Sequence, residues 1–124
     1  MKSTIIKPKC TFLLKSKIHD ARVTEANVDY VGSVTLDEEL MSASGILEHE
    51  KVLVANITNG RRVETYAIKG GEGEVCMNGA AARHFKKNDR VIIMSFAIVD
   101  SKQAKNHMPK IIYVDKQNRI VVPK

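Results

Sequence analysis

The chain has 124 residues, of which 44% are hydrophobic and only 5% aromatic, and it carries a formal net charge of +6. That is one domain, able to bury about two-thirds of the surface its unfolded chain exposes, around a core that must be aliphatic. No apolar run approaches the roughly 20 residues needed to cross a bilayer, and Met1 to Cys10 lacks the apolar segment and small-residue site of a secretory signal, so the expected place is the cytoplasm.

The two cysteines, Cys10 and Cys76, lie far apart and without Cys-x-x-Cys spacing, and both read as reduced thiols. His19, His49, His84 and His107 are scattered as well, so no metal site is legible. A pI near 9.4 permits a polyanionic partner. The lysines, however, are spread over both termini and the aromatics form no stacking series, which fits a solvated basic surface that attracts small anions.

In chain order, Thr11 to Lys17 and then Ile18 to Thr24 read as strand, although apolar positions 18, 21 and 23 alternate only partly. Thr35-Leu36-Asp37-Glu38 fits a capping box, with Thr35 as the cap of a helix over 36–44 that Gly45 closes. Lys51 to Ile57 and Arg61 to Ile68 read as strands joined at Asn59-Gly60, a pair that favours a tight hairpin because both residues accept positive φ. Along the second of these, alternation places Arg62, Glu64 and Tyr66 on one face and Thr65 on the other. If Thr65 and Tyr66 share a site, the strand must twist, bulge or end there.

The glycine-rich Lys69 to Gly73 lacks the Gly-Lys-Ser/Thr of a phosphate loop and reads as a flexible connection. Asn56-Ile57-Thr58, formally a glycosylation acceptor, carries no weight without a secretory signal. Glu74 to Met77 is a short strand, and Asn78 to Phe85 a short helix whose alanines allow close backbone approach. Asn78 and the free amides of Gly79 and Ala80 at its start would favour an anion. Val91 to Val99 is the most apolar run and the expected central strand, and Lys110 to Val114 with Arg119 to Val122 form a last pair. These elements predict a mainly β protein, a small barrel with one or two short helices.

Gly32-Ser33 stands apart from this pattern. It has an ordinary reading, as a turn between strands. It also has a chemical one, because Ser33 Oγ sits beside the Gly32 carbonyl. Attack there turns the amide into an ester, elimination leaves a dehydroalanine, and hydrolysis yields a pyruvoyl group.

Tyr30-x-Gly32-Ser33, Asn59-Gly60-x-Arg62-x-x-Thr65-Tyr66 and Asn78-Gly79-Ala80-Ala81-Ala82, preceded by Lys17-x-His19, stand in an order and spacing that resemble the pyruvoyl-dependent aspartate 1-decarboxylase family. The resemblance spans roughly residues 11 to 115. It implies a double-psi β-barrel, a homotetramer, and one domain over 1–124 that is a zymogen cut by itself into a β chain, 1–32, and an α chain, 33–124. It implies a lyase that converts L-aspartate to β-alanine and CO2 for pantothenate and coenzyme A synthesis, with a maturation factor as an optional helper and neither nucleic acid nor membrane as partner.

The same resemblance assigns roles. Ser33 is the pyruvoyl precursor that forms the Schiff base with substrate, Thr65 stabilises the oxyanion of processing, and Tyr66 donates the proton. Arg62 and Lys17 hold the substrate carboxylates, while Asn78, Gly79, Ala80 and Ala81 hold cofactor and substrate. Tyr30 and His19 are further candidates. Singly, each has a plain reading: Arg62 as a surface charge, Tyr66 as a half-buried strand aromatic, His19 as a polar edge residue. Two positions depart from the family pattern, with Ala55 where a tryptophan is common and Asp20 where an arginine is. The alternatives are a processed decarboxylase for a related amino acid, motivated by Ala55, and an unprocessed basic β-barrel that binds RNA or protein.

Overall fold

The computed structural model describes residues 8–31 and 33–122. In chain order its strands are β1 (Cys10–Arg22), β2 (Glu25–Asn27), β3 (Val34–Asp37), β4 (Lys51–Asn56), β5 (Arg62–Gly70), β6 (Val75–Asn78), β7 (Arg90–Asp100), β8 (Lys110–Val114) and β9 (Ile120–Val121). A helix, α1 (Glu38–Ser44), follows β3, and 3-10 helices occupy Gly79–His84 and Ala104–Asn106. The fold is mainly β, as the turn-rich, β-branched sequence leads one to expect.

The strands form one sheet in the order β2-β6-β3-β5-β4-β7-β1-β8-β9. In a flat sheet, β2 and β1 would lie six ladder steps, or about 29 Å, apart at about 4.8 Å per step. Only Val23 and Thr24 separate them in sequence, a link that reaches about 11 Å. The sheet must therefore curl until its β2 end meets β1. Backbone bonds secure that seam, from Thr24 N–H to Val75 O at 2.8 Å, from Val23 N–H to Asp89 O at 2.9 Å and from Asn88 N–H to Val23 O at 2.7 Å.

Inside lies an aliphatic core of Ile18, Val34, Leu36, Leu40, Val52, Val54, Met77 and Ile93, with Phe85 as its buried aromatic. β7, the most apolar run, lies between β4 and β1 in the interior of the order. The partial alternation of the first strand has a physical cause. β1 is one long strand whose pairing with β7 shifts register between Leu14 and Ser16 and again between Ile18 and Ala21. Each shift reverses which residues face inward. Asp20 sits in the second with a φ of 63°.

Three local expectations are corrected. The cap of α1 is Asp37, which accepts from Glu39 N–H at 2.7 Å, while Thr35 is a strand residue of β3. An aspartate one residue before the acidic first turn caps as well as a threonine does, and the strand ladder claims Thr35 first. Gly45 does close the helix, at φ 78°. The link from β4 to β5 is longer than a two-residue turn. Asn56 N–H donates to Arg61 O at 2.7 Å, and within that loop Gly60 has a positive φ, 80°, but Asn59 does not. Asn59 instead uses Oδ1 to accept from Arg61 N–H, the local bond that asparagine makes in turns. The glycine-rich link is pinned rather than loose, since Gly73 N–H donates to Asp37 and Gly73 O accepts from Asn118 Nδ2. Among the described residues, no helix is long and apolar enough to cross a membrane.

Candidate active site

Register places the chemistry. Asn27 pairs with Asn78 across β2 and β6. Asn78 N–H donates to Ser33 O at 3.0 Å. Val34 pairs with Ala67, so the preceding residues, Ser33 and Tyr66, take adjacent positions at the mouth of the β3–β5 ladder. The next row on the same face is Glu25, Cys76, Thr35 and Ile68. Because side chains alternate, Val34, Ala67 and Met77 fall on the opposite face, which is the core. On the outer face, Glu25, Asn27, Tyr30, Thr35, Cys76 and Asn78 line a cavity of about 230 Å³.

Ser33 is under strain at the head of this row. Its φ is 92°, a region that a residue with a side chain rarely adopts. It is 3% exposed, and its Oγ has no hydrogen-bond partner among the described residues. A buried hydroxyl without a partner costs on the order of 1–3 kcal/mol, and such strain collects at functional positions. Gly32, the other half of the bond singled out in the sequence, lies outside the described residues.

The remaining sequence candidates divide by strand. Along β5, Arg62, Glu64 and Tyr66 are exposed while Val63 and Thr65 are half-buried, and pairing with β4 runs unbroken from Lys51–Tyr66 to Ala55–Arg62. The strand thus has no bulge between Thr65 and Tyr66, and the two lie on opposite faces. Tyr66 is 39% exposed, its ring centroid 6.5 Å from that of His49. Gly79 has a φ of 65° at the start of the 3-10 helix, where a side chain would be strained; Ala80 is exposed, and Ala81 packs on the core. Asn78 precedes that helix, and its side chain makes no capping bond to it.

Lys17 and His19 stand elsewhere in the ladder. Both belong to β1, which borders β7 and β8 rather than β3. Lys17 lies opposite Met94 and Ile111. His19 meets Tyr113 edge-on at 5.8 Å, with a buried Nδ1 that has no partner among the described residues. Neither Lys17 nor Arg62 has an ion pair or side-chain hydrogen bond among the described residues, which leaves two cations for an anionic ligand.

The two departures from the family pattern acquire a setting. Asp20 is bound at 2.8 Å by Arg22 and at 2.8 Å by Arg90. The hydrogen bond from Arg90, with the nearby charge of Arg22, outweighs burial and holds the Asp20 carboxyl below its usual range. Its negative charge is thus matched locally. Ala55 is buried directly across the ladder from Arg62.

Thr35 and Cys76, two of the cavity's residues, have no site role in the sequence, where Thr35 reads as the helix cap and Cys76 as a reduced thiol. In the structure Asn78 Nδ2 donates to Thr35 Oγ1 at 2.9 Å, and Cys76 Sγ donates to Asn78 Oδ1 at 3.0 Å. The signal that finds them is the period of two: Thr35 is two residues from Ser33, and Cys76 is two from Asn78.

Comparison with known proteins agrees with this geometry. The family model described as aspartate decarboxylase matches residues 10–121. The aspartate 1-decarboxylase of Caldicellulosiruptor saccharolyticus is 60% identical over 111 residues, covering 88% of this chain and 87% of the relative. That of Acetivibrio thermocellus is 55% identical over 111 residues, with 88% of each covered. That of Thermoanaerobacter pseudethanolicus is 54% identical over 112 residues, 89% of this chain and 96% of the relative. The curled nine-stranded sheet with its few short helices fits the double-psi β-barrel of these proteins. A family match across nearly the whole described barrel, joined to identities this high, leaves one assignment: the chain belongs to the aspartate decarboxylase family.

Proposed function

We propose that this protein decarboxylates L-aspartate to β-alanine and CO2 on a carbonyl group that it makes from its own Ser33. The observation that carries the reading is Ser33 itself, buried, at a φ of 92°, its hydroxyl without a partner among the described residues and its carbonyl held by Asn78, which lines the cavity. Ser33 Oγ attacks the Gly32 carbonyl carbon, forming a C–O bond as the C–N bond breaks. The amide becomes an ester and the Ser33 nitrogen a free amine. Loss of the Ser33 α-proton expels Gly32 as a carboxylate and leaves dehydroalanine. Water then replaces the nitrogen, which departs as ammonia, and residue 33 becomes pyruvoyl at the head of the 33–124 chain.

The surroundings fit such a group. The Asn78 N–H already holds the residue 33 carbonyl at 3.0 Å, and the cavity beside it, at about 230 Å³, has room for a small substrate. When present, the pyruvoyl supplies a ketone for the substrate amine and a sink for the electrons left by departing CO2. This chain's residues do the rest. Arg62 offers a planar fork that suits a carboxylate, and Lys17 a point charge. Tyr66, in register beside Ser33, returns a proton. Thr65 lies on the opposite face of β5 from Tyr66 within one chain, so its role of stabilising the oxyanion formed when Oγ attacks requires it to meet Ser33 of a neighbouring copy.

Since β1 does not border β3 within one chain, Lys17 and His19 complete the site from a neighbouring copy in a homotetramer. Exposed apolar side chains support this assembly: Phe12 is 72% exposed, and Phe12, Val52, Leu53 and Phe96 line a second hollow of about 340 Å³. The reaction belongs to pantothenate synthesis in the cytoplasm. A test is CO2 release from aspartate by the wild-type protein and by Ser33→Ala, which should release none. Equal release by both contradicts the reading. A second reading, a related amino acid as substrate, is favoured by the small Ala55 opposite Arg62. Faster CO2 release from glutamate than from aspartate would establish it.

A further inference from the structure

The amide of Asn78 can sit in two orientations that differ by a half-turn, and they present opposite chemistry to the residues beside it. Thr35 does not choose between them, because a hydroxyl accepts from an NH2 and donates to a carbonyl equally well. Cys76 does. Its Sγ lies 3.0 Å from Asn78 Oδ1 in a buried position, where the S–H, though a weak donor, meets an oxygen, whereas the reversed amide would set an N–H against a sulfur that accepts only weakly. Burial, reinforced by Glu25 and Glu74, pushes the thiol up to about 11, so it keeps the proton it donates.

We propose that Cys76 is a positioning residue, whose thiol fixes the orientation of the Asn78 amide and so sets the donors that surround Ser33. With Oδ1 held by the thiol, Nδ2 must face Thr35, where it donates at 2.9 Å. Thr35 Oγ1 then serves as acceptor, and its own proton is left for another partner. Thr35 and Cys76 pair across β3 and β6, Thr35 stands two residues from the strained serine, and Asn78 N–H holds the Ser33 carbonyl at 3.0 Å, so the freed Thr35 hydroxyl belongs to the same connected group as Ser33. In the reversed orientation Thr35 spends its proton on Oδ1 and the thiol faces an NH2 that it can hardly accept. A sequence of aligned hydrogen bonds of this kind also polarises along its length.

The inference rests on the reading that Ser33 cuts the chain, and its test separates the two. Freshly made protein is followed by intact mass, and the fraction cut at Gly32-Ser33 is timed for wild type, Cys76→Ser and Cys76→Ala. The hydroxyl of Cys76→Ser can donate to Oδ1 as the thiol does but no longer excludes the reversed amide, so cutting should slow by about twofold and fall between wild type and Cys76→Ala. Cys76→Ala should cut about tenfold more slowly, the scale of one buried hydrogen bond. Packing loss alone could slow the alanine variant, so the same change is made in an Asn78→Ala chain, where it should alter the rate by less than about twofold. Equal slowing in both backgrounds, or no slowing in either, overturns the positioning role and leaves the cut itself standing. A wild-type chain that stays whole overturns both.

Discussion

The backbone N–H of Asn78 donates to the carbonyl oxygen of Ser33 at 3.0 Å, so the end of β6 holds the start of β3. The bond restrains residue 33 at an unfavourable φ, and the Asn78 side chain is fixed in turn by Thr35 and Cys76. Replacing that side chain leaves the backbone bond and removes the rest. Asn78→Ala should therefore cut itself about tenfold more slowly or worse, on the scale of a lost buried hydrogen bond. A time course by intact mass checks this, and an unchanged rate would show that the side chain plays no part.

Arg62 is exposed, and the proposed reading gives it a role on substrate rather than on the cut. Arg62→Ala should process like wild type but lose at least about a hundredfold in kcat/KM for aspartate, the scale of a charge-assisted bidentate contact. Steady-state CO2 release on the processed protein measures it. Unchanged turnover would remove Arg62 from the site.

Tyr66 lies beside Ser33 in register, and its hydroxyl is assigned to proton return. Tyr66→Phe keeps the ring and should cut normally, while kcat falls by about 10²–10⁴, the range for a lost general acid. KM should change far less. A rise in KM with kcat unchanged would make Tyr66 a binding residue instead.

Asp20 gives a prediction about stability and pH. Its folded carboxyl titrates below the ordinary value of 3.8 because of Arg90 and Arg22. A depressed acid stabilises the fold above its unfolded pKa and loses that contribution as pH falls through the folded one. The partners are partly exposed, so the effect is small. Asp20→Asn should lower Tm by about 4 °C or less near neutrality, and the gap should close below pH 3.8. Thermal melts across pH 2.5–7 test the sign, and a gap that widens in acid contradicts it.

Much of this fold follows from local rules in the chain. Gly45 past an acidic-headed helix and the apolar run of β7 both behave as their side chains dictate. What local rules miss is decided at long range. Thr35 obeys a capping pattern on paper, but in the sheet its strand position and its bond to Asn78, 43 residues away, override that pattern. The double register shift in β1 hides its alternation, since no single period describes a strand that changes face twice. At the site, the motifs single out Ser33, Tyr66 and Asn78, which the sheet sets in neighbouring register. They do not tell that Lys17 lies on a strand that avoids β3, because spacing along a chain carries no sheet order.

Whether Ser33 breaks its own peptide bond is read most directly from the intact mass of the purified protein. Two fragments that meet at Gly32/Ser33, residues 1–32 and 33–124, are expected, the second with a blocked terminus that lacks an amine, together with an uncut Ser33→Ala chain. A wild-type protein that remains a single full-length chain while it releases CO2 from aspartate would contradict that expectation.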